Sequence, residues 1–277
     1  DIPPSAGIPL LLQRLTDAGV AVRVLEIDGQ WAELNAPQDL SRFILGTKAE
    51  TLNRLRPMVR KSVIDEQVSF TFGQWRGNPD DCLREIAERF GPTKLIVRSS
   101  AVGEDRWTES NAGRFASVLD VDGSSREAVT EAVNDVFASY GSSVDRNQVL
   151  VQKLLTNILM SGVVFTRALN TGAPYSIINY DDSSASTESV TGGTGDDLKM
   201  VFLLRGEEKI PDGLSPRFGG LAEAVRELES LVGHDSLDIE FAVDRQGIIH
   251  IFQVRPIAGR DIEAVIAAMR DAHQKCS

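Results

Sequence analysis

Two alternating apolar runs, Leu237-Asp238-Ile239-Glu240-Phe241-Ala242-Val243 and Ile248-Ile249-His250-Ile251-Phe252-Gln253-Val254-Arg255, flank Asp244-Arg245-Gln246-Gly247. Strand-like alternation around an Asp…Gly turn reads as a β-hairpin. A period of two puts Asp238 and Glu240 on one face and Ile239, Phe241 and Val243 on the other. On the return strand Gln253 and Arg255 share a face opposite Phe252 and Val254, and the same count turns His250 away from Glu240. Two carboxylates beside an amide and a guanidinium suit Mg²⁺ with a polyphosphate. Carboxylate oxygens are hard ligands, and Arg offers a fork to phosphate oxygens. A solvated sheet face carrying a surface ion pair would show the same pattern.

Outward from this hairpin, Val149–Leu155 and Gly162–Thr166 read as a strand pair, and Tyr175–Tyr180 and Lys199–Leu204 as two further strands. Lys94–Arg98 is a short apolar strand that delivers Arg98 to the start of a polar, Gly-containing loop, Ser99–Phe115. Helical spacing marks 126–140, 221–232 and 261–273. Strands that outnumber helices and come in adjacent pairs predict an α+β fold with antiparallel sheets. Near the start, residues 6–18 have helical spacing. Val20–Ile27, Asp28-Gly29 and Gln30–Leu34 read as a hairpin, and a short helix begins at Pro37 and stops at Gly46.

The chain has 277 residues, which at about 150 per domain predicts two domains or one large one. Asp and Glu number 40 against 29 Lys and Arg, so the net charge of −11 disfavours a nucleic-acid partner. No apolar run approaches the roughly 18 residues of a membrane span, so no membrane partner is expected, and Asp1-Ile2-Pro3-Pro4 does not begin a signal peptide. Cys82 and Cys276 form no metal spacing, and a reducing cytoplasm is the expected location. The sequence contains no GxxxxGK[ST], HExxH or GxSxG motif.

Three further pieces are weak alone. Val97-Arg98-Ser99-Ser100-Ala101-Val102-Gly103-Glu104-Asp105 with Ser110-Asn111-Ala112-Gly113-Arg114 is a basic, hydroxyl- and Gly-rich stretch able to cradle phosphate. Gly46-Thr47-Lys48-Ala49 places a lysine where a loop meets a helix. Val151-Gln152-Lys153-Leu154-Leu155 ends a strand. In this order, together with Ser161-Gly162-Val163-Val164-Phe165-Thr166-Arg167, Asp238-Ile239-Glu240-Phe241 and Gln253-Val254-Arg255-Pro256, they resemble the ATP-binding domain of the phosphoenolpyruvate synthase and pyruvate phosphate dikinase family. That family has an ATP-grasp fold, two lobes of mostly antiparallel sheet enclosing a nucleotide cleft.

The resemblance implies an ATP-dependent phosphotransferase module. Lys48, Arg98 and Arg255 would be its catalytic residues. Lys48, Arg98, Ser110, Gly113, Gln152, Lys153, Leu154, Leu155, Asp238 and Gln253 would hold ATP, and Glu240 and Gln253 would hold Mg²⁺. Backbone groups of 152–155 would face adenine. The family's acceptor histidine lies on a swivelling domain, and none of His234, His250 and His273 sits in such a motif. The acceptor is therefore expected on a further domain, a partner protein or a small molecule. An ATP-grasp ligase working through an acyl phosphate, and a nucleotide-binding domain without catalysis, are the alternatives. The implied organisation is a tail segment at 1–45, an N-terminal lobe at 46–140, a C-terminal lobe at 141–258 and a terminal helix or linker at 259–277. The segment Val24–Leu40 resembles the C-terminal end of sugar-nucleotide-type nucleotidyltransferases. Asn35 stands where that family has a metal-binding Asp, so no transferase activity is expected from it.

Overall fold

The computed structural model describes residues 8–21, 37–102, 105–106, 109–110, 116–140, 145–169, 171–183, 199–206 and 217–257. The chain divides into two compact units, Asp1–Asn35 and Ala36–Ser277. In the first, α1 (Ile8–Asp17) forms where the leucine spacing predicts it, with Leu10, Leu11 and Leu12 all exposed. The hairpin expected over 20–34 falls almost entirely outside the described residues, as does the helix expected at 261–273.

The second unit is α+β, built on two antiparallel sheets. The first sheet has the order β1 (Gln67–Thr71), β6 (Gln148–Lys153), β2 (Lys94–Ser100), β5 (Ser117–Asp122). In β6, Val149 and Val151 face a core that also holds Ile86 and Phe90 of α5 (Pro79–Phe90) and Val133 and Val136 of α6 (Arg126–Ser139). Alternation turns Gln148, Leu150 and Gln152 to the opposite face. A short helix, α4 (Phe72–Gly77), follows β1, and the small hairpin β3 (Asp105–Arg106) and β4 (Glu109–Ser110) lies against the last strand of the second sheet.

That second sheet has the order β11 (Ile249–Pro256), β10 (Leu237–Asp244), β7 (Ile158–Phe165), β8 (Tyr175–Asp181), β9 (Lys199–Leu204). One face packs on α3 (Lys48–Leu55) and α7 (Arg217–Val232), which also meets α2 (Pro37–Ile44). Leu52, Leu55, Leu221 and Leu228 are each 0% exposed. Each such side chain contributes about 2 kcal/mol by leaving water.

Two expectations change here. β6 and β7 were expected to pair, but β6 pairs with β1 and β2, whereas β7 pairs with β10 and β8. The chain therefore leaves the first sheet after Lys153, not at 140/141. Residues 36–45, expected within the tail segment, group with the body of the chain.

Helix α3 ties the sheets together. Thr47 caps it: the Thr47 hydroxyl accepts from the Glu50 N–H at 3.3 Å, and Glu50 Oε2 accepts from the Thr47 N–H at 3.2 Å, a capping box. The Thr47 hydroxyl also donates to Gln148 Oε1 at 2.7 Å, the Ala49 N–H donates to Ser100 Oγ at 2.9 Å, and Gln67 Nε2 donates to the Ala49 carbonyl at 2.7 Å. The helix start is thus fixed to the first sheet while Leu52 and Leu55 are buried in the core of the second.

The β10–β11 register pairs Asp238 with Arg255 and Glu240 with Gln253, then shifts so that Phe241 faces Ile251 and Ala242 faces His250. This β-bulge inserts one residue in β11 and reverses the parity beyond it. Ile249 and Ile251 go to the helix side, while Phe252 joins Ala242, Ile158 and Leu155 on the other side. His250, opposite Ala242, therefore comes to the face that carries Glu240. The parity count placed both residues on the wrong face.

His250 lies between two carboxylates, with Nδ1 3.0 Å from Asp65 Oδ2 and Nε2 3.6 Å from Asp244 Oδ2. The hydrogen bond to Asp65, opposed by burial and helped by the charges of Asp65 and Asp244, holds its pKa above the ordinary value. A histidine raised in the folded state contributes stability that is complete below about pH 6.5 and is lost as pH climbs through the raised value. Urea midpoints from about pH 6 to 9 are expected to fall more steeply for the wild type than for His250→Gln. Parallel profiles would show that His250 is not the group responsible.

Candidate functional site

The two sheets bring six of the expected residues to one place. From the first come Arg98, near the end of β2, and Lys48, the first residue of the helix pinned to that sheet; they are 8% and 7% exposed. From the second come Asp238, Glu240, Gln253 and Arg255, neighbours across the β10–β11 ladder. Arg255 donates from Nε and Nη2 to the same oxygen of Asp238, at 2.9 and 2.7 Å. Burial pushes the Asp238 carboxyl above its ordinary pKa; Arg255 and Lys48 oppose that, and the charge of Glu240 adds to it. Arg98 spans the two sheets, with Nη1 4.0 Å from Glu240 Oε2 and its guanidinium carbon 4.7 Å from the centroid of the Phe252 ring.

At the other end of the site the strand-end residues divide. The Leu154 N–H donates to the Lys94 carbonyl at 2.9 Å, so it extends the sheet and is not available to a base. Leu155 packs with Ile158, Ala242 and Phe252, an apolar patch suited to a flat ring. Lys153 is exposed, and Gln152 is 2% exposed. The Gln152 Nε2 donor, on the face turned from the first core, has no hydrogen-bond partner among the described residues. A buried donor without a partner costs about 1–3 kcal/mol, so an acceptor atom of a ligand fits there. Ser110 lies in β4 opposite Asp105; its side chain and Gly113 are outside the described residues.

The oxygen donors fit a hard cation. Glu240 supplies a carboxylate, Gln253 a carboxamide oxygen directly across the ladder, and Asp238 a second carboxylate one alternation away. Among the described residues no three His, Cys, Asp or Glu side chains gather into a metal cage. Magnesium commonly uses one or two protein carboxylates and takes its remaining ligands from phosphate and water. Phe252 is the site residue that sequence reasoning missed, because nothing in the local pattern announces the bulge.

Residues 44–144 match the family described as "Pyruvate phosphate dikinase, AMP/ATP-binding domain". The motifs from Lys48 to Gly113 that carry the resemblance lie within that stretch. Among solved structures, the VanG D-Ala:D-Ser ligase from Enterococcus faecalis is 14% identical with a TM-score of 0.45, over 79% of this chain and 54% of that one. The D-alanine-D-alanine ligase from Coxiella burnetii is 14% identical with a TM-score of 0.43, over 79% and 50%. The D-alanine–D-alanine ligase from Bacillus anthracis complexed with ATP is 13% identical with a TM-score of 0.42, over 79% and 57%. Likeness at this level bears on neither substrate nor reaction, and the chain spans about half the length of these structures. No curated protein sequence matches the chain. Among the described residues no helix is long and apolar enough to cross a membrane.

Proposed function

We propose that the second unit is an ATP-grasp module that binds Mg-ATP in the cleft between its sheets and transfers phosphate, in the manner of the nucleotide-binding domain of phosphoenolpyruvate synthase. The observation that carries this reading is the convergence of Lys48 and Arg98 from one side with Asp238, Glu240, Gln253 and Arg255 from the other. Phosphoryl transfer asks a protein mainly for positioning and charge neutralisation. In this reading Leu155, Ile158, Ala242 and Phe252 receive the base, with the Leu155 N–H rather than the Leu154 N–H offered to it. Lys48, Arg98 and Arg255 bind phosphate oxygens. Glu240 and Gln253 hold Mg²⁺, which when bound neutralises polyphosphate charge. Ser110 and Gly113 belong to the segment that approaches the phosphates. The acceptor is another domain, a partner protein or a small molecule, and the site of action is the cytoplasm.

Millimolar Mg-ATP is expected to raise the thermal midpoint. A ligand at about 100 times its dissociation constant adds roughly 2.7 kcal/mol of stability. Glu240→Ala should lose most of the difference between ATP with and without Mg²⁺. An unmoved midpoint in the wild type would overturn the assignment. ADP release that depends on a carboxylate substrate plus a nucleophile would replace phosphotransfer by ligation through an acyl phosphate.

A further inference from the structure

The bulge in β11 does more than move a phenylalanine. It sets the Phe252 ring, 6% exposed, beneath the Arg98 guanidinium, with the guanidinium carbon 4.7 Å from the ring centroid. Arg98 comes from the first sheet and Phe252 from the second, so this contact crosses the cleft. Without a ligand the guanidinium is bracketed by the ring and by the Glu240 carboxylate at 4.0 Å. In the reading proposed above, Glu240 turns to Mg²⁺ and phosphate oxygens take its place beside Arg98. The ion pair is exchanged, whereas a cation over an aromatic face needs no counter-charge and persists through the exchange. An arginine loses rotamer freedom when it grips a ligand, so a ring that restricts it before binding reduces that cost.

We propose that Phe252 is a positioning residue for polyphosphate recognition, its ring holding Arg98 in place through a cation–π contact that the β-bulge makes possible. The proposal rests on the Mg-ATP reading for its ligand, but the Phe252–Arg98 contact itself does not. A leucine at 252 keeps an apolar side chain against Leu155, Ile158 and Ala242 while removing the π face; tyrosine keeps both.

Titration calorimetry on the full chain with Mg-ATP, tripolyphosphate and adenosine tests this. Phe252→Leu is expected to weaken Mg-ATP and tripolyphosphate about three- to tenfold, the range of a partly desolvated cation–π contact, and adenosine by about twofold or less. Phe252→Tyr should restore both to within about twofold of wild type, and on an Arg98→Gln background, which removes the cation, Phe252→Leu should cost much less. Equal losses for adenosine and Mg-ATP would make Phe252 only a wall of the base pocket. No loss, or the same loss on the Arg98→Gln background, would also overturn the proposal. Nitrogen-15 spectra of the Arg98 Nε–H group give a readout without nucleotide: a ring-current-shifted proton in the wild type that moves towards the ordinary arginine position in Phe252→Leu. Should the wild type bind no Mg-ATP, the phosphotransfer reading fails while this shift still decides the contact. An unshifted Arg98 proton in the wild type overturns the contact itself.

Discussion

Arg255→Met is expected to destabilise the protein by about 3–5 kcal/mol, the usual result of leaving a buried charge without its partner. Both side chains of the Asp238–Arg255 pair are 9% exposed, and Arg255 places two N–H groups on one carboxylate oxygen. Burial already pushes the Asp238 carboxyl up, and Arg255 is the strongest influence opposing it. With Arg255 gone the carboxyl rises further, giving the variant a distinctive pH dependence. An acid whose folded-state pKa lies above its unfolded value binds more protons when folded, so stability rises as pH falls towards that value. The deficit of Arg255→Met should therefore shrink between about pH 8 and pH 5, and adding Asp238→Asn should recover part of it at pH 8 by removing the buried charge. Urea midpoints at both pH values check this. A deficit below about 1 kcal/mol that does not vary with pH would place the pair among screened surface bridges, which are worth little.

The pairing of Asp238 with Arg255 and of Glu240 with Gln253 was legible in the sequence because a hairpin has a turn signal and a period of two, and these residues lie on its regular side. Past Gln253 the same arithmetic fails. The bulge belongs to the fit of β11 against β10 and leaves no local mark, so Phe252 and His250 were assigned to the wrong face. Sheet membership was hidden for a related reason. β6 and β7 are consecutive and separated by Leu154–Asn157, and consecutive strands usually pair. Here the intervening turn instead carries the chain from one sheet to the other, where Leu155 lines the cleft. Two helices that periodicity passed over did carry end signals. Thr47 and Glu50 have the spacing of a capping box, and Asn78-Pro79 begins α5 while Gly91, at φ +61°, ends it. β5 offered no alternation to read, since Val121 is its one fully buried residue.

Gly162→Ala is expected to cost about 3 kcal/mol, the upper end of the usual range for overpacking. Gly162 lies in β7 between Tyr180 of β8 and Phe241 of β10. A Cβ added there would come 2.2 Å from the Asn179 carbonyl oxygen and 2.9 Å from the Phe241 ring. No rotamer change relieves a clash with a backbone carbonyl, so β7 and β8 must separate. The Phe241 ring, 1% exposed in the core of the second sheet, must shift as well. The damage falls beside the site, because Val163, the next residue, is the cross-strand neighbour of Glu240. Gly220 supplies the contrast. It lies in α7, and a Cβ there would meet only the Ile249 Cδ1 atom at 3.5 Å, an ordinary contact. Gly220→Ala should therefore stabilise the protein by about 0.5–1 kcal/mol through helix propensity alone. Opposite signs for the two variants in chemical unfolding would tie the glycine of β7 to close backbone approach. A tolerated Gly162→Ala would mean that the β7–β8 spacing is looser than the described structure requires.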